Sequence, residues 1–144
     1  MKKNILFVTQ SIWAGGTNSA LCSLYNNIDK SRYDISVLAL DGFGGRRVDY
    51  EEVLINRHII SAYYNSGHYS GFLDKMFCVA VKVFKKVAKA FYPGLDEKFN
   101  KCVISKLEKE HQYDAVVAYN ENVVRFVSYF KCRNKIAWIH CCVS

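Results

Sequence analysis

The sequence contains no apolar run of the roughly 18 residues that a membrane-spanning helix requires. Its basic start, Met1-Lys2-Lys3, precedes the apolar residues 5–8, but that run is too short for a signal peptide and polar residues follow at once. None of the six cysteines forms a C-x-x-C pair, and their spacings match no zinc motif. We therefore expect a cytoplasmic protein without a metal site, peripheral at most on the inner face of a membrane.

The composition is that of a folded chain with a basic excess. At 144 residues the chain has the length of one domain, and 51% apolar with 23% charged residues argues against disorder. Its 20 basic and 13 acidic residues give a net charge of +7, which favours a phosphorylated ligand, an anionic membrane surface or nucleic acid as partner. Nucleic acid is the least favoured, because the lysines follow one helix without aromatic residues for base stacking.

The amino-terminal residues 4–21 combine a strand, a glycine turn and a helix. The apolar run ILFV at residues 5–8 predicts a buried parallel strand, and Gly15-Gly16 precedes residues with helical spacing. Thr17 or Asn18 is the expected cap of that helix. Unpaired N–H groups at such a helix start bind anions such as phosphate, although many turns of this kind bind nothing.

Further strands are predicted along the chain. Residues 33–40 read as a second buried strand, so residues 4–40 form one βαβ unit, and residues 53–60, 113–119 and 135–139 read as strands three to five. The whole predicts an α/β fold, a Rossmann-like doubly wound parallel sheet of about five strands with helices on both faces, in one domain spanning residues 1–144.

Residues 70–92 predict a basic amphipathic helix. At about 100° per residue its lysines share one side, opposite a broad apolar face; they are Lys75, Lys82, Lys85, Lys86 and Lys89. We expect the apolar face to pack on the sheet or on an adjacent helix, because a doubly wound sheet is covered on both sides. The alternative is that residues 72–92 lie on an anionic membrane surface.

A second helix is expected after Pro93-Gly94, with Asp96 as its cap and residues 97–111 in its body. In a parallel sheet, the segments that follow the strands meet at one edge, where open α/β sheets bind their ligands. These segments are residues 11–18, 41–47, 120–122 and 140–144. Arg46 and Arg47 can reach a phosphate from there, unless they are two solvated loop arginines.

Four short motifs, in order, resemble a known family. KNILFV at residues 3–8, AGGT at 14–17, YDAVVA at 113–118 and IAWIH at 136–140 are similar to the amino-terminal domain of family 4 glycosyltransferases of the GT-B fold. The resemblance implies a retaining transferase of the hexosyltransferase type. Such an enzyme moves a sugar from a nucleotide-sugar to a glycan or lipid-linked acceptor in the synthesis of cell-surface polysaccharide, with the nucleotide-sugar as substrate and no cofactor.

The resemblance also implies roles for individual residues. Gly15 and Gly16, with Thr17 and Asn18, correspond to the loop that faces the donor diphosphate, and His140 corresponds to the histidine that contacts the donor sugar near the reacting carbon. On the acceptor side it implies Glu121, and we expect Asn120, Arg46 and Arg47 there because they lie in segments that follow the strands. Cys141-Cys142 depart from the family, which has a small or acidic residue after the histidine. The family's carboxyl-terminal donor domain has no counterpart within residues 1–144, so we expect this piece alone to be inactive.

Two other functions remain open. Asp41 follows the second strand, where a ribose-binding acid of a dinucleotide-binding domain lies, although Gly15-Gly16 lacks the G-x-G-x-x-G spacing. The other is a non-enzymatic module that docks on an anionic membrane through residues 72–92.

Overall fold

A computed structural model describes residues 1–11, 15–42 and 57–138. Arg46, Arg47, His140 and residues 53–55 of the predicted third strand lie outside the described residues.

The described residues form four strands, five α-helices and one 3-10 turn. In chain order they are β1 (Lys3–Ser11), α1 (Gly16–Asn27), β2 (Tyr33–Asp41), α2 (Arg57–Tyr64), α3 (Phe72–Phe91), α4 (Leu95–Glu110), β3 (Ala115–Ala118), the 3-10 turn Glu121–Val123, α5 (Val124–Ser128) and β4 (Asn134–Ala137).

The four strands form one parallel sheet in the order β2-β1-β3-β4. Ile5 of β1 lies beside Ile35 on one side and beside Ala115 on the other. The predicted βαβ unit of residues 4–40 is thereby confirmed, as is the Rossmann-like α/β class. The chain leaves β1 toward β2 and returns to β3 on the opposite side of β1, so the strand order reverses between β1 and β3.

Alternate residues of the strands pack on opposite faces of the sheet, as the two-residue period of a strand requires. On one face, Leu6 and Val116 join a core cluster with Leu107 of α4 and residues of α2 and α5. On the other face, Phe7 and Val117 pack against α1 through its Leu21. The predicted cover of helices on both faces is confirmed.

The predicted third strand is wrong where the structure describes it. Residues 57–64 form helix α2, so the described chain has four strands rather than about five. Ile60, Tyr63 and Tyr64 have the three- and four-residue spacing of one helix face, and Ile60 and Tyr63 are buried. Apolar residues with this spacing favour a helix, and the contact of α2 with β2 and α3 fixes it there.

Both predicted side-chain caps are also wrong. The N-cap of α1 is Gly15 rather than Thr17 or Asn18, and the N-cap of α4 is Gly94 rather than Asp96; neither has a side-chain cap bond. Asp96 lies inside the first turn of α4, where its carboxylate pairs with Lys85 and Lys89 of α3. These ion pairs direct the Asp96 carboxylate toward the lysines rather than toward the helix end.

Helix α3 packs with the side opposite to the expected one. Its Cys78 is buried with Ala62 of α2, and Val81 packs beside them. Lys85 reaches the rings of Tyr63 and Tyr64 on the same inner side. The apolar face that we expected to pack on the sheet or on an adjacent helix is exposed, so that expectation is wrong for the described residues.

Candidate functional site

The candidate site lies at the carboxyl edge of the sheet, where β1 and β3 end side by side. The N–H of Tyr119, just after β3, donates to the carbonyl of Val8 at 2.8 Å. Tyr119 is buried with Leu21 of α1, so α1 packs beside the end of β3. The ring of Trp138, just after β4, is 5.5 Å from that of Tyr119. The three strand ends therefore meet at the point where the strand order reverses, which is where open α/β sheets bind ligands.

The amino terminus of α1 lies at this edge. Gly15 has an extended backbone, and its carbonyl accepts the N–H of Ser19 at 2.8 Å. Among the residues that the structure describes, no side chain caps the helix, and its first turn carries no acid. The N–H groups at Gly16 and Thr17 therefore have no partner within the helix. Together with the helix dipole they form a region of positive potential.

The fold itself does not require a glycine at position 16. A β-carbon at Gly16 would meet no atom within 4 Å, and its backbone does not adopt the left-handed conformation. Gly16 is exposed, which leaves the main chain bare to an approaching ligand. Behind it, Thr17 is half-buried and Asn18 is buried.

Asn120 adds polar atoms at the same edge, beside the end of β1. Its Nδ2 lies 3.4 Å from Oγ1 of the buried Thr9, which in turn donates to the carbonyl of Ser11 at 3.2 Å. The Oδ1 of Asn120 is buried and has no hydrogen-bond partner among the residues that the structure describes. Glu121 follows on the 3-10 turn with an exposed side chain. The edge thus combines main-chain donors with a carboxamide and a carboxylate.

The sequence-predicted site residues divide into two groups. The structure brings one group together at the carboxyl edge; it consists of Gly15, Gly16, Thr17, Asn18, Asn120 and Glu121. His140, Arg46 and Arg47 lie outside the described residues, so their predicted places stay predictions.

Asp41 is engaged inside the protein. It is fully buried at the end of β2, where its carboxylate accepts the N–H of Ser66 at 2.8 Å and also the Ser66 hydroxyl. The neighbouring Gly42 N–H donates to Ser61 Oγ at 3.0 Å. The Asp41 carboxylate therefore serves to hold the segment after α2 and is not presented to a ribose.

A lysine-lined cleft beside the edge was not found from the sequence. It is open, has a volume of about 440 Å³, and is lined by Tyr63, Tyr64, Asn65, Lys82, Lys85, Lys86 and Lys89. Lys85 lies 3.6 Å from Asp96, and burial lowers the pKa of its ammonium although the charge of Asp96 opposes this. The sequence signal that could have indicated this cleft is the helical spacing of Ile60, Tyr63 and Tyr64, whereas the predicted strand ended at residue 60.

Two searches for site types gave a negative result over the described ranges. Among residues 1–11, 15–42 and 57–138, no three His, Cys, Asp or Glu side chains come together as a metal site. In the same part of the chain no helix is both long and apolar enough to span a bilayer.

Comparison with models of protein families, with curated proteins and with solved structures gave no match for this chain. The family resemblance therefore depends on the four motifs alone, and the other evidence for a function comes from the fold and from the site.

Proposed function

We propose that this chain is the acceptor-side half of a retaining glycosyltransferase that uses a nucleotide-sugar donor. The single observation that carries the proposal is the uncapped amino terminus of α1, with the bare main chain at Gly16, at the point where the strand order reverses. The four motifs that resemble the family-4 enzymes of the GT-B fold add the reaction type.

The chemistry of the site suits a diphosphate. When a nucleoside diphosphate leaves the sugar, negative charge develops on its phosphate oxygens, and N–H groups already pointing at that charge stabilise it without reorganising. The helix start at Gly16 offers such donors, and no acidic side chain in its first turn repels the anion. In this proposal the N–H groups and the helix dipole, rather than a metal ion, stabilise the negative charge of the leaving diphosphate.

The polar groups at the same edge of the sheet suit a sugar. The buried Oδ1 of Asn120 accepts a hydrogen bond, and the exposed carboxylate of Glu121 accepts one from an acceptor hydroxyl. In the proposed enzyme, His140 joins them as the residue that contacts the donor sugar, and Arg46 and Arg47 approach the acceptor. The acceptor is a glycan or a lipid-linked sugar of the cell surface.

The structure disfavours a dinucleotide-binding domain but is compatible with a membrane-docking module. A dinucleotide-binding domain needs a free acid after the second strand, and Asp41 is buried against Ser66. A membrane-docking module is compatible with the exposed face of α3, but it does not account for the open helix start at the carboxyl edge.

The test uses the protein from the complete open reading frame. It is incubated with a panel of nucleotide-sugars and with lipid-linked or glycan acceptors, and the released nucleoside diphosphate is measured. Gly16→Ala places a methyl group in open space in front of the main chain, so it leaves folding intact and obstructs a diphosphate there. We expect it to lower the rate at least about tenfold through lost transition-state contacts.

The matched control is Gly94→Ala, at the start of α4, where an added β-carbon also meets no atom within 4 Å. We expect its rate to stay within about twofold of the parent, since it lies on another helix. Release of no nucleoside diphosphate from any donor, or equal rates for the two variants, would contradict the proposal.

A further inference from the structure

Helix α3 presents its apolar face to solvent. Nine large apolar side chains on this helix are between 41% and 80% exposed. They are Phe72, Leu73, Met76, Phe77, Val79, Val83, Phe84, Val87 and Phe91. A contiguous exposed patch of this kind on a surface helix marks an interaction surface. We call these nine residues the outer face of α3.

Contacts on the inner side keep the outer face turned away from the domain. Cys78 is buried against Ala62, and Lys85 lies between the Tyr63 ring, 3.8 Å from its centre, and Asp96. Lys89 pairs with the same carboxylate. If α3 turned its apolar side inward, these polar contacts would be lost. The exposed face is therefore a consequence of the way the helix is attached.

Lysines border the outer face along one flank. At about 100° per residue, Lys75, Lys82 and Lys86 lie within about 40° of one another, between the apolar arc and the inner side. All three are exposed, and Lys82 also reaches Asn65 Oδ1 at 3.2 Å. An apolar arc bordered by a row of lysines is the pattern of a helix that lies in the plane of a bilayer, with its apolar side below the headgroups.

The charges discriminate between possible occupants. A second copy that paired its α3 in antiparallel fashion would bring Lys75 of one chain toward Lys86 of the other, and like charges repel. An anionic bilayer offers hydrocarbon for the outer face and negative headgroups for the lysine row at the same time. The chain's net charge of +7 acts in the same direction.

We propose that α3 docks this protein on an anionic lipid bilayer, with the outer face inserted at the level of the headgroups and with Lys75, Lys82 and Lys86 contacting the headgroups. The proposal leaves Lys85 and Lys89 out of the lysine set expected from the sequence, because both pair with Asp96 of α4. It does not rest on sugar transfer, and the same surface would serve a protein with another activity.

The experiment is co-sedimentation of the 144-residue chain with vesicles of phosphatidylcholine alone or mixed in equal parts with phosphatidylglycerol. We expect binding to the mixed vesicles that weakens with salt and with loss of phosphatidylglycerol. The variant Val83→Glu with Phe84→Glu is expected to bind at least about tenfold more weakly. Its control is Val124→Glu with Ile136→Glu, which makes the same change at two exposed apolar residues outside α3.

A second pair of variants tests the lysine row. Lys75→Glu with Lys86→Glu is expected to weaken binding at least about tenfold, whereas Lys98→Glu with Lys106→Glu, an equal charge change on the exposed side of α4, stays within about threefold. Circular dichroism confirms that each variant is folded, and sedimentation velocity measures self-association.

Three outcomes would overturn the proposal. The first is no vesicle binding by the parent chain. The second is binding that the changes at Val83 and Phe84 leave intact. The third is a dimer in solution that those changes dissociate without any vesicle binding, which would assign the outer face to a second copy of this chain.

Discussion

The Lys85 ammonium lies 3.8 Å from the centre of the Tyr63 ring, in the contact between α3 and α2. In most surface helices an apolar side chain occupies this position. Here a cation–aromatic contact and an ion pair with Asp96 attach the helix, and its apolar side remains exposed. The orientation of α3 therefore depends on polar contacts, which single substitutions can test.

Lys85→Glu reverses the charge at this contact. It removes the interaction with the Tyr63 ring and places a carboxylate near that of Asp96, so we expect the free energy of unfolding to fall by about 1–2 kcal/mol. The control is Lys86→Glu, at the next residue and exposed, for which we expect a change within about 0.5 kcal/mol. Urea unfolding followed by circular dichroism measures both, and equal effects would contradict the inward position of Lys85.

Asp96 makes the stability depend on acid pH. Burial disfavours the ionised carboxyl, but hydrogen bonds from Lys89 and Tyr63 and the charge of Lys85 outweigh this and hold its pKa below the ordinary value of 3.8. The folded-state pKa is below the unfolded one, so ionised Asp96 stabilises the fold at neutral pH. This stabilisation is lost as the pH falls through the folded-state pKa, below about 4.

Asp96→Asn should remove this contribution. Because the Asp96 side chain is 42% exposed, we expect a loss of only about 1 kcal/mol at pH 7, and a shallower fall in stability between pH 5 and about 2 than in the parent. Asp34→Asn, at an exposed residue of β2, is the control for a general loss of one negative charge. An unchanged pH profile in the Asp96 variant would show that these contacts add nothing to stability.

Truncation should cost much more stability at a buried residue of α4 than at an exposed residue of α3. Leu107 of α4 is fully buried under the sheet, so Leu107→Ala is expected to lower the free energy of unfolding by about 2–5 kcal/mol. Phe84 is larger but 72% exposed on α3, so Phe84→Ala is expected to change it by less than about 0.5 kcal/mol. A large loss for Phe84→Ala, measured by urea unfolding, would mean that the outer face is packed inside the protein.

Tyr64 and Asn100 join α2 to α4. The Tyr64 hydroxyl donates to Asn100 Oδ1, and Asn100 is buried. Tyr64→Phe leaves that oxygen without its donor, so we expect a cost of about 1–3 kcal/mol. Tyr92→Phe, at an exposed tyrosine just after α3, is expected to cost almost nothing and serves as the control.

The Tyr64 hydroxyl should also make the stability depend on alkaline pH. Burial raises the pKa of Tyr64 to about 12, above the 10.0 of an ordinary tyrosine. The folded state therefore keeps a proton that the unfolded chain loses, so this stabilisation is complete below pH 10 and is lost as the pH rises toward 12. Denaturant unfolding across this range should show a smaller pH-dependent loss for Tyr64→Phe than for the parent.

The sheet was largely predictable from sequence because β1, β2 and β3 contain apolar runs that are buried on both faces of the sheet. The runs in β1 and β2 read as buried parallel strands, and their pairing through α1 follows from the βαβ rule. The third predicted strand was wrong because Ile60 lies in a short apolar segment whose local pattern fits a helix or a strand. Its contacts with β2 and α3 decide between them, and these are distant in sequence.

Which side of α3 faces the domain could not be predicted. Helical periodicity shows that Phe84 and Val87 share a side with each other and not with Lys85, but it does not say which side packs. That choice depends on Tyr63 and Asp96, two residues on other helices that hold Lys85. For the candidate site, the sequence predicted the glycine turn and Asn120, whereas the missing cap at Gly15 and the engagement of Asp41 required the structure.

Amide NMR spectra recorded during titration with nucleoside diphosphates test most directly whether main-chain N–H groups at the start of α1 bind a diphosphate. We expect the signals of Gly16, Thr17 and the Asn120 side chain to shift and saturate with the diphosphate, whereas those of Leu95 and Asp96, at a helix start that carries two acids, stay in place. The account would be contradicted if the α1 signals did not move at any concentration, or if both helix starts shifted alike.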